Sequence, residues 1–501
     1  MKLQNLSTSD RRLLEAVGEL AVCNPYTERR EELERKALGR AYEDLREGVP
    51  AFVRNGEKIA GKAEVLLGRI RKGVQGGMDL EEGLKSSMVK AVYFLLFHRM
   101  SGELDALIES FISGRGTASA PSVYRKLEQQ LPEWLTVNGE WWVKPVSPGH
   151  LFALFFQIRR AFLNTHRYII GQSEAARRLR AQVWNSVLTH DLDRYRDLLY
   201  DRLNDVTTLI TGPSGSGKEL VARAIGFSRY LAYDRAKGCF EGSSEELHFP
   251  INLSALSETL IESELFGHRK GAFTGALTDR KGYFEACPER GSIFLDEIGE
   301  VSEGIQVKLL RVLQDRAFQR IGETVSRRFG GKVIAATNRD LEREMASGRF
   351  REDFYFRICS DRIETPRLRE LLNGRGEELY VLLSYIAERT VGAEPAQDLA
   401  EQVGSWIEIH LGLDYAWPGN FRELEQCFRS ILVRGTYQPP ELDKEADDDP
   451  LPERLRTGEL NNRELLEWYY RRVYDQTGNL SRAAEALEVD RRTVKKYLSL
   501  Q

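Results

Sequence analysis

A glycine-rich segment in the middle of the chain has the residue types and spacing that bind phosphate. The glycines let the backbone curl so that successive N–H groups point at phosphate oxygens, and a lysine adds positive charge for the outermost phosphates. The segment lies between a strand-like run, VTTLIT, and a helix-like run, ELVARAIGF, as a P-loop requires. Glu219 stands where the general pattern has a metal-binding Ser or Thr. The residues predicted to bind a nucleotide are Gly212, Pro213, Ser214, Gly215, Ser216, Gly217, Lys218 and Glu219.

Two carboxylates, Asp296 and Glu297, follow the apolar run GSIFL further along the chain. Because α/β sheets bind ligands at the carboxyl ends of their strands, we expect Asp296 to hold Mg²⁺ and Glu297 to polarise an attacking water. A third run, KVIAAT, ends at Asn338, whose amide suits the orientation of water or of the terminal phosphate. Each of these polar residues alone could simply end a strand in solvent. Together with the P-loop they predict a site that hydrolyses nucleotides.

Three arginines could supply further positive charge to such a site. Arg351 and Arg357 lie six residues apart in GRFREDFYFRI, and guanidinium groups that compensate a phosphoryl-transfer transition state are worth roughly 10³–10⁵ in rate. Spacing alone equally fits a solvated basic helix face. Arg422 follows a Trp-Pro-Gly turn near the start of a helix, where a cation is unfavourable for the helix dipole, so a phosphate partner is indicated.

The elements that must position these residues divide the chain into parts with different patterns. Residues 1–166 have the apolar spacing of helices, residues 167–370 alternate strand-like and helical runs as in a parallel sheet, and residues 371–437 are helical again. Residues 438–459 are rich in proline and acid and predict a solvated linker, and residues 460–501 form a small helical unit. The predicted fold class is therefore multidomain, α and α/β.

Composition limits the classes of protein that the chain can form. Its 501 residues are 42% apolar and 30% charged, and 72 basic against 76 acidic residues leave a net charge of −4, so any contact with nucleic acid must come from a local patch. The five cysteines form no CxxC or Cys/His cluster, and the longest apolar stretch is too short to span a bilayer. We expect a cytoplasmic protein without membrane contact.

The hexapeptide GAFTGA, in the segment ESELFGHRKGAFTGA, lies between the two phosphate motifs. It comprises Gly271, Ala272, Phe273, Thr274, Gly275 and Ala276. Here the sequence closely resembles the bacterial enhancer-binding proteins, which are AAA+ activators of sigma-54 RNA polymerase and carry GAFTGA as their signature. Glycines at both ends allow a flexible hairpin, and we expect Phe273 and Thr274 to form its exposed apolar–polar tip.

The resemblance covers residues 168–436 and the C-terminal unit, and it implies roles for several residues. It implies an AAA+ P-loop domain at 167–370 with a helical lid at 371–437, ATP and Mg²⁺ as cofactors, and self-assembly into a ring, expected to be a hexamer. Arg351 and Arg357 are implied to reach a neighbouring subunit's ATP, and Arg422 to sense the γ-phosphate. Glu219 is common in this family after the P-loop lysine. Ile169 and Ile170 are implied to lie near adenine.

Three features of the sequence depart from the family pattern. The connection before the P-loop strand and the segment before GAFTGA are both lengthened. Ser257 stands where many members carry an asparagine that pairs with the catalytic glutamate, which puts the ATP-sensing switch in doubt.

The last forty residues predict two short crossed helices, LSRAAEAL and RRTVKKYL, joined by a tight turn. The second carries a basic surface suited to phosphates and base edges, which a solvated charged helix would also present. The unit also resembles the Fis-type helix-turn-helix that closes most enhancer-binding proteins. The residues predicted to bind double-stranded DNA are Arg491, Arg492, Thr493, Lys495 and Lys496.

The N-terminal region, implied by the resemblance to be regulatory, shows neither the βα alternation of a receiver nor the strands of a PAS or GAF domain. Trp134, Trp141 and Trp142 could line a ligand pocket or form ordinary core. The leading hypothesis is a sigma-54-dependent activator that binds DNA upstream of promoters and uses ATP hydrolysis to remodel the polymerase into the open complex. Alternatives are a DNA-binding AAA+ regulator that uses ATP only for assembly, and an AAA+ remodeller of other proteins.

Overall fold

The computed structural model describes residues 6–44, 49–137, 139–143, 145–440, 461–477 and 479–498. The chain divides after Thr436 into two compact units, and each is described here by itself. The linker predicted at residues 438–459 lies almost wholly outside the described residues. None of the described helices combines the length and the apolar character that a membrane crossing requires.

The first unit begins with the predicted helices, and polar caps explain where two of them start. Ser7 accepts a hydrogen bond from the Asp10 N–H at the start of the first helix, and Ser147 accepts from the His150 N–H where Pro148 opens the seventh. The one hairpin described here, β1 (Thr136–Val137) with β2 (Glu140–Trp141), has only two residues a strand. The helices are α1 Thr8–Leu20, α2 Glu28–Leu38, α3 Val49–Gln75, α4 Glu82–Arg99, α5 Ser101–Ile112, α6 Ala120–Leu135, α7 Pro148–Tyr168 and α8 Glu174–Leu188.

A five-stranded sheet follows, and all of its strands are parallel. Its strands, in spatial order, are β13 (Asp361–Glu364), β3 (Thr208–Thr211), β12 (Lys332–Thr337), β9 (Ser292–Asp296) and β6 (His248–Asn252). The three predicted strands are confirmed as β3, β9 and β12. The two edge strands, β6 and β13, were not predicted.

Short elements join these strands. The helices are α9 Leu192–Arg194, α10 Lys218–Gly226, α11 Glu258–Phe266, α12 Tyr283–Ala286, α13 Glu303–Asp315, α14 Leu341–Ala346 and α15 Glu352–Ile358. The remaining strands form two-stranded hairpins: β4 (Tyr233–Asp234) with β5 (Cys239–Phe240), β7 (Gly267–His268) with β8 (Arg280–Lys281), and β10 (Ala317–Phe318) with β11 (Arg327–Arg328).

One hydrophobic core joins the N-terminal helices to the sheet. Buried side chains of α1 to α8 are continuous with those of α10 and with Ile210, Phe294 and Ile334 on one face of the sheet. The opposite face has a second core, formed with α11, α13 and α15. The N-terminal region therefore packs as a layer of the nucleotide-binding domain.

Four helices follow the sheet: α16 Leu368–Leu372, α17 Gly376–Val391, α18 Ala396–His410 and α19 Asn420–Arg434. They agree with the predicted lid. The second unit contains α20 Asn462–Thr477, α21 Leu480–Ala486 and α22 Arg491–Tyr497 around a small core of Tyr470, Ala483, Ala484, Val494 and Leu498. The predicted crossed helices are α21 and α22.

Candidate functional site

The P-loop connects the carboxyl end of β3 to the first turn of α10, which begins at Lys218. Lys218 is buried, and its Nζ donates to the carbonyls of Gly212 and Pro213 at 3.0 Å each. Burial lowers the pKa of Lys218, while the charges of Glu297 and Asp296 act in the opposite direction. The lysine and the two predicted carboxylates are therefore electrostatic neighbours, as the sequence predicted.

Glycine is required at two positions of this loop because other groups approach closely. A Cβ on Gly212 would lie 2.1 Å from Thr365 Oγ1, and a Cβ on Gly215 would lie 2.5 Å from the carbonyl oxygen of Gly419. Both glycines also have positive φ. The Thr365 hydroxyl lies 2.6 Å from that of Ser216, so the residue after β13 supports the P-loop. Sequence reasoning missed Thr365.

Asp296 and Glu297 leave the carboxyl end of β9 beside the P-loop. Burial, and then the neighbouring Glu297 charge, raise the pKa of Asp296. Glu297 has the left-handed backbone angle φ 56°, a conformation that costs about 1–3 kcal/mol for a residue other than glycine. Its carboxylate accepts a long hydrogen bond of 3.4 Å from the backbone N–H of Asn338, at the end of β12.

The asparagine beside these carboxylates is Asn252, which corrects the weight placed on Ser257. Asn252 ends β6 opposite Asp296 in the sheet register, and its Nδ2 lies 3.4 Å from the Asp296 carboxylate. Ser257 instead precedes the first residue of α11 as its N-cap. A polar residue ending a strand was the available signal, but β6 contains Pro250 and was not predicted as a strand.

The lid approaches the P-loop through the turn at residues 417–420. Arg422 Nη1 donates to Ser214 Oγ at 3.0 Å, the Asn420 side chain donates to the Ser214 carbonyl at 3.0 Å, and the Phe421 N–H donates to the Gly215 carbonyl at 3.0 Å. Arg422 thus lies at the loop, as predicted, and Asn420 was missed. Ile169 is buried, and its carbonyl accepts two bonds from Arg180.

Three other predicted residues make contacts away from the P-loop. Arg351 pairs with Asp353 at 2.9 Å and Glu303 at 3.0 Å, and Arg357 donates twice to the Leu313 carbonyl. Glu219 is on the exposed side of α10, where it pairs with Arg223 at 2.8 Å. The roles of these residues as arginine fingers and as a nucleotide ligand stay predictions.

The donor set at this edge fits Mg²⁺ held jointly with phosphate oxygens. Within the described part of the chain, no group of three His, Cys, Asp or Glu side chains could hold a metal ion. Mg²⁺ is usually bound by one or two carboxylates together with substrate phosphates. Asp296, whose ionised form is disfavoured by burial and by Glu297, is the side chain that a cation there would stabilise.

The GAFTGA segment forms a loop above the β7–β8 hairpin. The Gly271 N–H donates to the Ala276 carbonyl at 2.8 Å, and the Lys270 N–H donates to Asp279 at 2.8 Å. Thr274 is exposed, but Phe273 is half-buried with its ring 5.0 Å from that of His268. The most exposed apolar side chain beside the hexapeptide is Leu277, at 80%. The tip therefore differs from the predicted Phe273–Thr274 pair.

In the second unit, α22 presents the predicted basic residues. Asp490 caps the helix by accepting from the Arg492 N–H, and Val494 faces the core. Exposed positions of α22 are Arg491, Arg492, Lys495 and Lys496, while Thr493 is half-buried.

The parallel sheet, the P-loop, the paired carboxylates and the helical lid define a P-loop domain of the AAA+ class. A profile of the Sigma-54 interaction domain matches residues 192–364. The chain belongs by this domain to the sigma-54-dependent activators.

Relatives and a solved structure are consistent with that family. The chain is 35% identical to the regulatory protein AtoC of Escherichia coli (strain K12) over 62% of this chain and 66% of AtoC. It is 42% identical to the Nif-specific regulatory protein of Azotobacter vinelandii over 45% of this chain and 40% of that protein. The chain thus spans about two-fifths to two-thirds of these relatives' length. The crystal structure of NtrX from Brucella abortus in complex with ATP, at 24% identity, covers 71% of this chain and 76% of NtrX with a TM-score of 0.38, a value on which we base no argument.

Proposed function

We propose that this chain is a sigma-54-dependent transcription activator. In this proposal it assembles into a ring, expected to be a hexamer, binds double-stranded DNA upstream of promoters, and uses ATP hydrolysis to remodel sigma-54 RNA polymerase into the open complex. The observation that carries the proposal is the GAFTGA loop, which projects Thr274 from the matched domain on a hairpin separate from the P-loop.

The chemistry proposed for the site is hydrolysis of the γ-phosphate of ATP. The P-loop N–H groups and Lys218 bind the phosphates, Asp296 holds Mg²⁺, and Glu297 accepts the proton of the attacking water. Bound Mg²⁺ would neutralise phosphate charge. Asn338, whose backbone N–H contacts Glu297, and Arg422, at Ser214, are suited to sensing the terminal phosphate.

The ATPase part is tested with two variants whose expected defects differ. Lys218→Ala should lose nucleotide binding because its ammonium is removed from the loop. Glu297→Gln should bind ATP but hydrolyse it about 10²–10⁴-fold more slowly, the range for loss of a general base. Affinity for a fluorescent ATP analogue and phosphate release should be measured on each. Near-normal turnover in Glu297→Gln would contradict the assignment.

The sigma-54 part is tested at Thr274, which no described hydrogen bond joins to the nucleotide site. Thr274→Ala should keep its ATPase activity and its assembly but fail to bind sigma-54 in the presence of ADP–metal fluoride. Open-complex formation at a sigma-54 promoter should fail with it. Thr278→Ala, at another exposed threonine of the same loop beyond the hexapeptide, is the matched control. If the parent protein binds no sigma-54, the alternative of a DNA-binding AAA+ regulator that uses ATP for assembly replaces this proposal.

A further inference from the structure

The N-terminal helices enclose a cavity of about 110 Å³ that has no part in the nucleotide site. It lies among α1, α3, α4, α7 and α8, and most of its wall is apolar. Its aromatic lining consists of Tyr93, Phe94, Phe97, Phe155, Phe162 and Trp184. An apolar cavity of about 150 Å³ is known to accept benzene, so this space suits a molecule of about one ring.

The wall contains one buried cation with an unused donor. Arg30 is only 4% exposed, its Nε donates to Glu34 at 2.5 Å, and its Nη1 donates to the Leu20 carbonyl at 3.3 Å. Its Nη2 is buried and has no acceptor among the described residues. The guanidinium carbon lies 4.8 Å from the centre of the Phe52 ring, another wall residue. A buried N–H group without a partner is costly, so an acceptor oxygen entering the cavity would be stabilised.

The charges around the cavity are already balanced. Glu34, fully buried, neutralises Arg30, and Arg159 makes two bonds of 2.6 Å to Asp105. Lys90 pairs with Asp193 at 2.5 Å. The His98 ring lies between Phe94 and Phe97, and burial together with Arg30 and Arg159 lowers its pKa to about 3, so it adds no charge at neutral pH. A ligand with a full charge would enter without a counter-ion, which disfavours it.

We propose that this cavity binds a small, uncharged aromatic molecule whose acceptor oxygen accepts a hydrogen bond from Arg30 Nη2. The ring would contact the aromatic wall, and the oxygen would satisfy the guanidinium donor.

Helix α7 connects this cavity to the nucleotide site. Phe155 and Phe162 of α7 line the cavity. From the same helix, Gln157 donates to the Ser228 carbonyl at 3.1 Å and Asn164 to the Phe227 carbonyl at 3.1 Å, both directly after α10. Because α10 begins at Lys218, a ligand that shifts α7 would act on the P-loop helix. This coupling, unlike the binding itself, rests on the proposed ATPase function.

Binding is tested by calorimetry on the full chain with three single-ring probes: acetophenone, toluene and benzoate. We expect acetophenone to bind one molecule per chain, and toluene and benzoate about tenfold or more weakly, because toluene lacks the acceptor and benzoate carries a charge. No saturable binding of acetophenone at millimolar concentration, or equal affinities for acetophenone and toluene, would overturn the proposal.

Matched variants locate the site. Val22→Phe adds a ring to a wall residue and should weaken acetophenone binding about tenfold or more, whereas Val65→Phe, at an exposed position of α3, should leave it unchanged. The double variant Arg30→Met/Glu34→Met removes the buried pair without stranding either charge, and it should make acetophenone and toluene bind equally. Equal weakening in Val22→Phe and Val65→Phe would place the probe elsewhere and refute the proposal.

Coupling is measured on the same proteins. Acetophenone should change the rate of ATP hydrolysis in the parent chain and in Val65→Phe but not in Val22→Phe, and ATP should change acetophenone affinity by a reciprocal factor if both bind at equilibrium. A chain that binds acetophenone but hydrolyses no ATP would refute the proposed function and leave the cavity proposal standing.

Discussion

The side-chain amide of Asn252 lies 3.4 Å from the carboxylate of Asp296, across the neighbouring ends of strands β6 and β9. The two residues face each other in the sheet register, so the contact is set by the backbone pairing of the strands. A second bond is made by Asn252 Oδ1, which accepts from the Ser254 hydroxyl at 2.8 Å. The amide is therefore oriented with its donor side toward the acidic pair.

We predict that Asn252→Ala lowers ATP turnover by about tenfold while affinity for nucleotide stays within about twofold, because one hydrogen bond to an acidic group is removed and the P-loop is untouched. Ser257→Ala is the matched control, because Ser257 caps α11 without a side-chain capping bond. Phosphate release and nucleotide affinity should be measured for both variants. A larger loss of turnover in Ser257→Ala than in Asn252→Ala would restore Ser257 as the partner of the acidic pair.

Sequence reasoning identified the P-loop, both acidic residues and Arg422 because each belongs to a short motif with a direct chemical reason. It missed Asn252 and Thr365, which lie at the ends of the two edge strands. Pro250 removes a backbone donor from β6 and is tolerated there because β6 is an edge strand, while DRIE of β13 is too polar to read as a strand. Nor could it find the cavity, since side chains from five helices far apart in sequence form it.

A second prediction concerns the contact between lid and P-loop. Gly215→Ala would place a methyl group 2.5 Å from the Gly419 carbonyl and on a backbone with φ 73°, so the lid turn must move away. We expect weaker nucleotide binding and slower hydrolysis. Gly68→Ala, in the middle of α3, meets nothing within 4 Å and should leave both unchanged while stabilising the helix by up to about 1 kcal/mol. Equal behaviour of the two variants would argue against a lid that closes on the loop.

A third prediction concerns the arginines of α15. If Arg351 and Arg357 act on a neighbouring subunit, hydrolysis per chain should rise steeply with protein concentration as rings form. Arg351→Ala subunits mixed with Glu297→Gln subunits should regain activity at interfaces that join two intact halves. Arg349→Ala is the control, because Arg349 pairs with Glu344 on the neighbouring surface. Activity that is independent of concentration, with no gain on mixing, would show that each chain hydrolyses ATP alone.

A fourth prediction concerns DNA. Replacing Arg491 and Lys495 by alanine should weaken binding and reduce the salt dependence by a log–log slope of about one for each phosphate that the protein no longer neutralises. Arg463→Ala, on α20 and paired with Glu467 at 2.8 Å, should leave the slope unchanged. Binding should be measured by fluorescence anisotropy over a range of salt concentrations. The same slope in the parent and the double variant would mean that α22 does not bind DNA.

A fifth prediction concerns pH. Burial lowers the pKa of His98 to about 3, and that of His166 and His248 to about 4 each, so all three are neutral in the folded chain at pH 5 to 7. An unfolded histidine binds a proton near pH 6.5, so the unfolded state gains protons first and the free energy of unfolding should fall as pH drops from about 6.5 toward 4. Each residue contributes up to about 1.4 kcal/mol per pH unit.

The measurement is urea unfolding of the parent chain and of His98→Gln between pH 5 and 7.5. His98→Gln should show a shallower loss of stability on acidification, whatever its stability at pH 7.5. His190→Gln, at an exposed position, should retain the parent's slope. If the His98→Gln slope equals the parent's, His98 does not stay neutral in the folded state.

The continuous core beneath the sheet makes the N-terminal helices indispensable to the folding of the domain that they cover. Val221, Ala222 and Ile225 of the P-loop helix are each at most 2% exposed, and they belong to the same cluster as Phe152 and Phe156 of α7. Cutting the chain between α7 and α8 would leave that apolar face of α10 in water, with the aggregation that such a patch invites. Evolution could therefore not exchange this region for another as a detachable cassette: any replacement would have to supply the missing half of a hydrophobic core.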